Sequence, residues 1–194
     1  MLPPPLPKQK NWLKTNWKWF SISLLGLSVF CSLLFIRFFI IQLYKTPSSS
    51  MQPTIVIGDR FLADKIRSLK EIKRGDVVVF RSPLNKVKLI KRVIGMPGEK
   101  IRTTKGTVFV DNHEFKEPYI VNPSPIYQGI DFVSVTVPED SFFVLGDNRN
   151  NSQDSRHFGS IPFQNIIGRV NVILWSFDPE KGGIRWERIN KKVE

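Results

Sequence analysis

The chain has 194 residues, enough for one domain of ordinary size or a smaller domain with appendages, and 41% of them are apolar, enough for a core. A formal net charge of +12 suits either nucleic acid or an anionic membrane as a partner. The single cysteine, Cys31, excludes an internal disulfide.

The charge is uneven along the chain. Residues 1–19 hold Lys8, Lys10, Lys14 and Lys18 and no acid, and every acid lies at Asp59 or later. PPPLP belongs to this basic tail, 1–19, and suggests no function. From Phe20 to Ile36 there is no charge, and after Arg37 the apolar run resumes to about Leu43. The segment 20–43 is long enough to span a bilayer as a helix, which takes about 20 residues. Arg37 can snorkel near its end, and Trp12, Trp17, Trp19 and Tyr44 suit the interfacial belts. The apolar core is too long for a cleaved signal peptide, and no A-x-A site follows. Lysines before the span place the N-terminus in the cytoplasm and the rest of the chain on the exported side.

Next comes PSSSMQPT, 47–54, three serines between prolines that disfavour helix and hold the segment extended. A serine cluster after a span reads first as a polar linker. A nucleophilic serine needs a base. G-x-S-x-G is absent and there are only two histidines, His113 and His157, so a Ser–Lys arrangement is the variant to consider.

Beyond the serines, short β-rich runs follow one another at 77–80, 87–94, 107–110, 132–137, 142–145 and 166–177, separated by Gly, Pro, Asp and Asn. They predict an antiparallel all-β domain over 44–178, with one weak helix near Lys65–Ile72 and a loose polar tail at 179–194. In VKLIKRVIG, strand alternation puts Val87, Leu89, Lys91 and Val93 on one face. Lys88, Ile90, Arg92 and Ile94 share the other, a mixed and more solvated face. Lys91 among apolar neighbours loses hydration, which lowers its pKa and fits it for general base work. The bland alternative is a lysine that snorkels from a sheet edge. A second polar cluster, GDNRNNSQDSR at 146–156, reads either as a hydrogen-bonded turn or as part of a site.

Taken in order behind a span, PSSSMQPTIVIGD (47–59), GDVVVF (75–80), KLIKRVIGMPGE (88–99) and VLGDNRNNSQDSRHFG (144–159) resemble the type I signal peptidases. These are membrane-bound serine proteases that remove signal peptides. The resemblance implies Ser50 as nucleophile and Lys91 as general base, the lysine that the alternation singles out independently. It implies an oxyanion hole from Ser48 and the Ser50 backbone N–H, with Ser152 contacting the lysine. Asp154 and Arg156, two apart on one strand face, would brace the site, and Met51 would line the substrate pocket or graze lipid. Residues 100–141 would be a small insertion. Ser49 stands where the family commonly has Gly, a strained choice if that position needs positive φ. Glu99 and Asn150 stand where Asp is common.

The expected activity is cleavage of exported preproteins after A-x-A-like small residues through an acyl-enzyme, at the bacterial plasma membrane or the thylakoid. The expected partners are signal peptides and membrane lipid, without nucleic acid, cofactor or metal. Ser50 follows the span by about 7 residues, so it lies within roughly 25 Å of the membrane surface. The competing reading is a non-catalytic, membrane-anchored peptide-binding β module.

Overall fold

The computed structural model describes residues 12–39, 41–65, 69–104, 106–120 and 134–193. The proline segment near the start, the first part of the run at 132–137 and residues 66–68 of the weak helix at 65–72 lie outside them; Lys65 ends a strand and Leu69–Glu71 is a single 3-10 turn. The chain divides into two units, 1–40 and 41–194.

The first unit contains helix α1, Trp12–Phe39, about 42 Å long at 1.5 Å per residue. Leu24, Leu25, Phe30 and Leu33 are 58–66% exposed, and none of the stretch Trp17–Leu34 is buried. It is long and apolar enough to cross a membrane by length and composition. Two of its serines satisfy their hydroxyls within the helix, as hydrocarbon would require: Ser21 Oγ donates to Trp17 O and Ser23 Oγ to Trp19 O, each at 2.9 Å. The apolar segment 20–43 does not stay helical to its end. Strand β1, Ile41–Lys45, starts inside it and pairs antiparallel with β2, Asp59–Lys65, from Ile41 opposite Asp64 to Lys45 opposite Arg60. Ladder hydrogen bonds to β2 decide the conformation there, which hydropathy alone does not register.

The second unit is all-β and antiparallel. The remaining strands are β3 Val77–Arg81, β4 Lys88–Gly95, β5 Lys100–Thr104, β6 Thr107–Val110, β7 His113–Glu114, β8 Val135–Thr136, β9 Ser141–Leu145, β10 Ile161–Pro162 and β11 Ile166–Ser176. One sheet runs β1-β2-β11-β3-β4-β9-β10, the other β7-β6-β5-β8. The small sheet and the segment after it occupy the insertion at 100–141.

The central strands of the large sheet are buried on both faces, which is why VVVF and FFVL are continuous apolar runs. Val77 and Val79 pack with Met51, Ile55 and Phe61, while Val78 and Phe80 pack with Phe142 and Val144. Phe143 and Leu145, on the other side of β9, join Ile94 and Ile101 under the small sheet. Met51 is thus a core side chain, 2% exposed. Its burial anchors the segment that carries Ser50.

The segment after Pro179 is ordered against the sheet. Ile184 bridges to Phe177 and Lys192 to Val172. Arg188 donates to both oxygens of fully buried Asp59, at 3.1 and 2.6 Å, and to Thr54 O at 2.9 Å. A buried carboxylate needs a paired cation, and the polar segment supplies it.

Candidate active site

Strand β4 carries Lys91 into the interior, opposite Val78 of β3. Lys91 is 2% exposed, and Leu89 and Val93, on its face, pack in the cluster around Phe80 and Phe142. Its Nζ donates to Ser50 Oγ at 2.6 Å. Burial pushes the Lys91 pKa down from 10.5 to about 8; the Asp154 and Asp147 carboxylates pull it back up and Arg156 opposes them.

Ser50 sits in a run of turns rather than an extended segment. Gln52 N donates to Ser49 O at 3.1 Å and Ile55 N to Met51 O at 2.9 Å. Burial of Met51 and Ile55 bends the chain where the flanking prolines predict extension. Ser48 Oγ lies 3.3 Å from Ser50 Oγ. Ser49 needs no positive φ, since its position is not among those with φ above zero. Its hydroxyl accepts from Asn151 Nδ2 at 2.9 Å, and its carbonyl accepts from Asn148 Nδ2 at 3.2 Å.

The end of β9 forms the floor. Asn148 N donates to Ser50 O at 3.1 Å. Gly146 is in close approach: a Cβ there would lie 2.2 Å from Ser152 Oγ and 2.6 Å from Ser50 O. Gly146→Ala is expected to cost about 10²-fold in kcat, because a shift of about 1 Å at a reacting group is worth that much. Peptide cleavage read beside circular dichroism separates this from unfolding. Ser152 Oγ is buried and makes no hydrogen bond of full geometry, but it lies near enough to Asp154 to help lower that carboxyl's pKa.

Asp154 and Arg156 form an ion pair at 2.8 Å, although not on a strand. Asp154 is the N-cap of a one-turn helix α2, Ser155–Phe158, and accepts from Arg156 N. Capping outcompetes extension at DSR. The second Asp154 oxygen accepts from Gly146 N at 3.0 Å. Burial alone would raise this carboxyl's pKa; Arg156 and the Gly146 N–H more than offset it and hold it below the usual carboxylate value.

Arg92 corrects the expectation of a solvated face, since it is 1% exposed. Its guanidinium donates to Asp147 Oδ1 and Oδ2 at 2.9 and 2.8 Å and to Gly75 O at 2.7 Å, and stacks 3.8 Å from the Tyr119 ring centroid. Thr54 Oγ1 donates to Asp147 at 2.5 Å, tying the serine turn to the same carboxylate. Asp147, Thr54, Gly146 and Asn148 were not singled out from sequence. The only signal was that the run after FFVL is dense in short polar residues. His157 is exposed and His113 is exposed.

The sequence matches the family model "Signal peptidase, peptidase S26" over residues 17–175. The chain belongs to the signal peptidase family. It is 43% identical over 163 residues to a signal peptidase I of Leptolyngbya laminosa, covering 79% of this chain and 78% of that one. To "Probable signal peptidase I-2" of Synechocystis sp. it is 37% identical over 177 residues, covering 87% and 76%. To the signal peptidase I of Bacillus amyloliquefaciens it is 33% identical over 171 residues, covering 84% and 87%. As a signal peptidase the chain is a serine endopeptidase that cleaves signal peptides. Each of the four stretches that carry the resemblance contributes a residue named in this signal peptidase's candidate site: Ser50 and Thr54, Gly75, Lys91 and Arg92, and the floor from Gly146 to Arg156.

Proposed function

We propose that the chain cleaves exported preproteins after small, A-x-A-like residues, with Ser50 as nucleophile and Lys91 as general base. The observation that carries this reading is the 2.6 Å contact from a buried lysine to a serine hydroxyl. Neutral Lys91 takes the Ser50 proton, and Ser50 Oγ attacks the scissile carbonyl. The Ser50 N–H and the Ser48 hydroxyl face the developing oxyanion. The lysine ammonium then protonates the leaving amine, and the C–N bond breaks to leave an acyl-enzyme. Lys91, neutral again, activates the water that releases it. Asp154 and Arg156 act through the floor under Ser50, and Ser152 packs beside them. The substrate lies extended along a strand by β-augmentation. The helix anchors the chain in the bacterial plasma membrane or thylakoid, with the N-terminus cytoplasmic and the β domain on the exported side.

The sign of the pH dependence follows from which form acts. The base is the deprotonated lysine, so kcat/KM rises with pH, about tenfold per unit below the Lys91 pKa of about 8, and levels off above it. The test is cleavage of a preprotein with an A-x-A site, in liposomes, across pH 6 to 10. A product cut elsewhere, or a rate flat through pH 8, would sink the reading. Retained cleavage in His157→Ala is expected, because no imidazole enters the mechanism.

A further inference from the structure

The turn between β3 and β4 has no role in the site. Its backbone is nevertheless tightly fixed. Ser82 N donates to Val87 O at 2.8 Å and Lys86 N to Ser82 O at 3.0 Å. Ser82 Oγ accepts from Leu84 N, and Asn85 Oδ1 accepts from Val87 N. The effect of this rigidity is to hold two apolar side chains out into solvent, Leu84 at 68% and Val87 at 53% exposed. Around them Arg81, Lys86 and Lys88 are exposed, and no acid occurs from Val77 to Gly98. Large apolar side chains ringed by bases on a fixed turn are costly in water and suited to an anionic lipid interface.

Register places this turn at a particular end of the sheet. Ile41, the start of β1, lies opposite Asp64; Lys65 lies opposite Gly168, and Ile166 opposite Phe80. The turn therefore shares its end of the sheet with the residue at which the chain arrives from its apolar helix. Lys88 Nζ also sits 5.3 Å from the ring of Tyr44 in β1.

We propose that the 82–88 turn docks in the headgroup region of an anionic membrane, with Leu84 and Val87 inserted, and thereby sets the height of the Ser50–Lys91 pair above the lipid. Val87 and Lys91 are four residues apart on one strand, about 13 Å at 3.3 Å per residue. A signal segment held in the same bilayer then presents its cut site at a fixed distance from its apolar core. The height-setting role rests on the peptidase reading, whereas the lipid contact does not.

The test uses the full chain with Cys31→Ser, so that one introduced cysteine carries the label. Leu84→Cys, and Lys116→Cys at an exposed control position, are labelled with the fluorophore NBD and reconstituted in phosphatidylcholine–phosphatidylglycerol vesicles. Brominated lipid tails are expected to quench the Leu84 label at least about twofold and leave the Lys116 label unchanged. In parallel, Leu84→Asp with Val87→Asp is expected to slow cleavage of a membrane-inserted preprotein about tenfold or more, with a short soluble peptide cut within about twofold of the wild-type rate. A Leu84 label that stays in water overturns the lipid contact. Equal losses on both substrates overturn the height-setting role, because the turn then acts on the site itself. If the wild type cuts no preprotein, the peptidase reading falls, while the quenching still decides the lipid contact.

Discussion

Ser50→Ala and Lys91→Met are each expected to lower cleavage of an A-x-A preprotein by at least about 10³-fold, and the double variant by little more. In the proposed mechanism the two side chains act as one unit, the lysine serving to move the serine's proton. Methionine is the informative replacement for Lys91 because it keeps the length of the side chain and fills the same buried space. It should also raise stability. In the folded chain the Lys91 pKa falls from 10.5 to about 8, so the native state binds this proton less tightly than the unfolded chain does. The cost of burying the ammonium is fully present below about pH 8 and is relieved as pH rises from there towards 10.5. At pH 7 Lys91→Met is therefore expected to be more stable by about 1–3 kcal/mol, read by denaturant unfolding, and the gap over wild type should close by pH 10.5. A variant that loses activity and stability together would point to misfolding rather than to a missing base.

Asp147→Asn is the second large effect. It leaves the Arg92 guanidinium, 1% exposed, without a counter-charge. Removing one partner of a buried pair costs about 3–5 kcal/mol, and at this size that corresponds to a fall in Tm of about 10 °C. Replacing both members, as in Arg92→Met with Asp147→Leu, is expected to recover part of the loss, because no charge is left unpaired while Thr54 Oγ1 and Gly75 O lose these partners. Asp147 also raises the Lys91 pKa, so any residual activity of Asp147→Asn should begin to rise at lower pH than in wild type. A melting temperature unchanged by Asp147→Asn would mean that water reaches Arg92.

Lys91 was legible in sequence because a strand writes its two faces as alternate letters, and the letters around Lys91 on its own face are Leu89 and Val93. The same alternation misled at Arg92. Its neighbours suggested solvent, but burial of a charge is decided by its partner, and Asp147 is 55 residues away. The serine turn was misread for a similar reason: Pro47 and Pro53 favour extension locally, while Met51 and Ile55 are drawn inward by Phe61 and Val170. At DSR the two-residue spacing suggested a shared strand face, whereas an aspartate free to cap a helix took that option and still reached Arg156. Strands β3, β6, β9 and β11 announced themselves by β-branched and aromatic runs. Strands β1, β2 and β5 did not, since IQLYK, DRFLADK and KIRTT mix charges into short alternations that only pairing stabilises. The polar segment after Pro179 looked loose because the carboxylate it covers, Asp59, is more than a hundred residues earlier.

That last tie has a consequence for how the molecule is born. Arg188 holds Thr54 O across 134 positions of chain. At a synthesis rate of about 5–20 residues per second, Thr54 leaves the ribosome roughly 7–27 s before the arginine that fastens it. The turn bearing Ser50 is among the first parts of the β unit to be made and among the last to be secured. A nascent chain thus carries the Ser50 turn unfastened for many seconds, and that turn is secured only once Arg188 has been made.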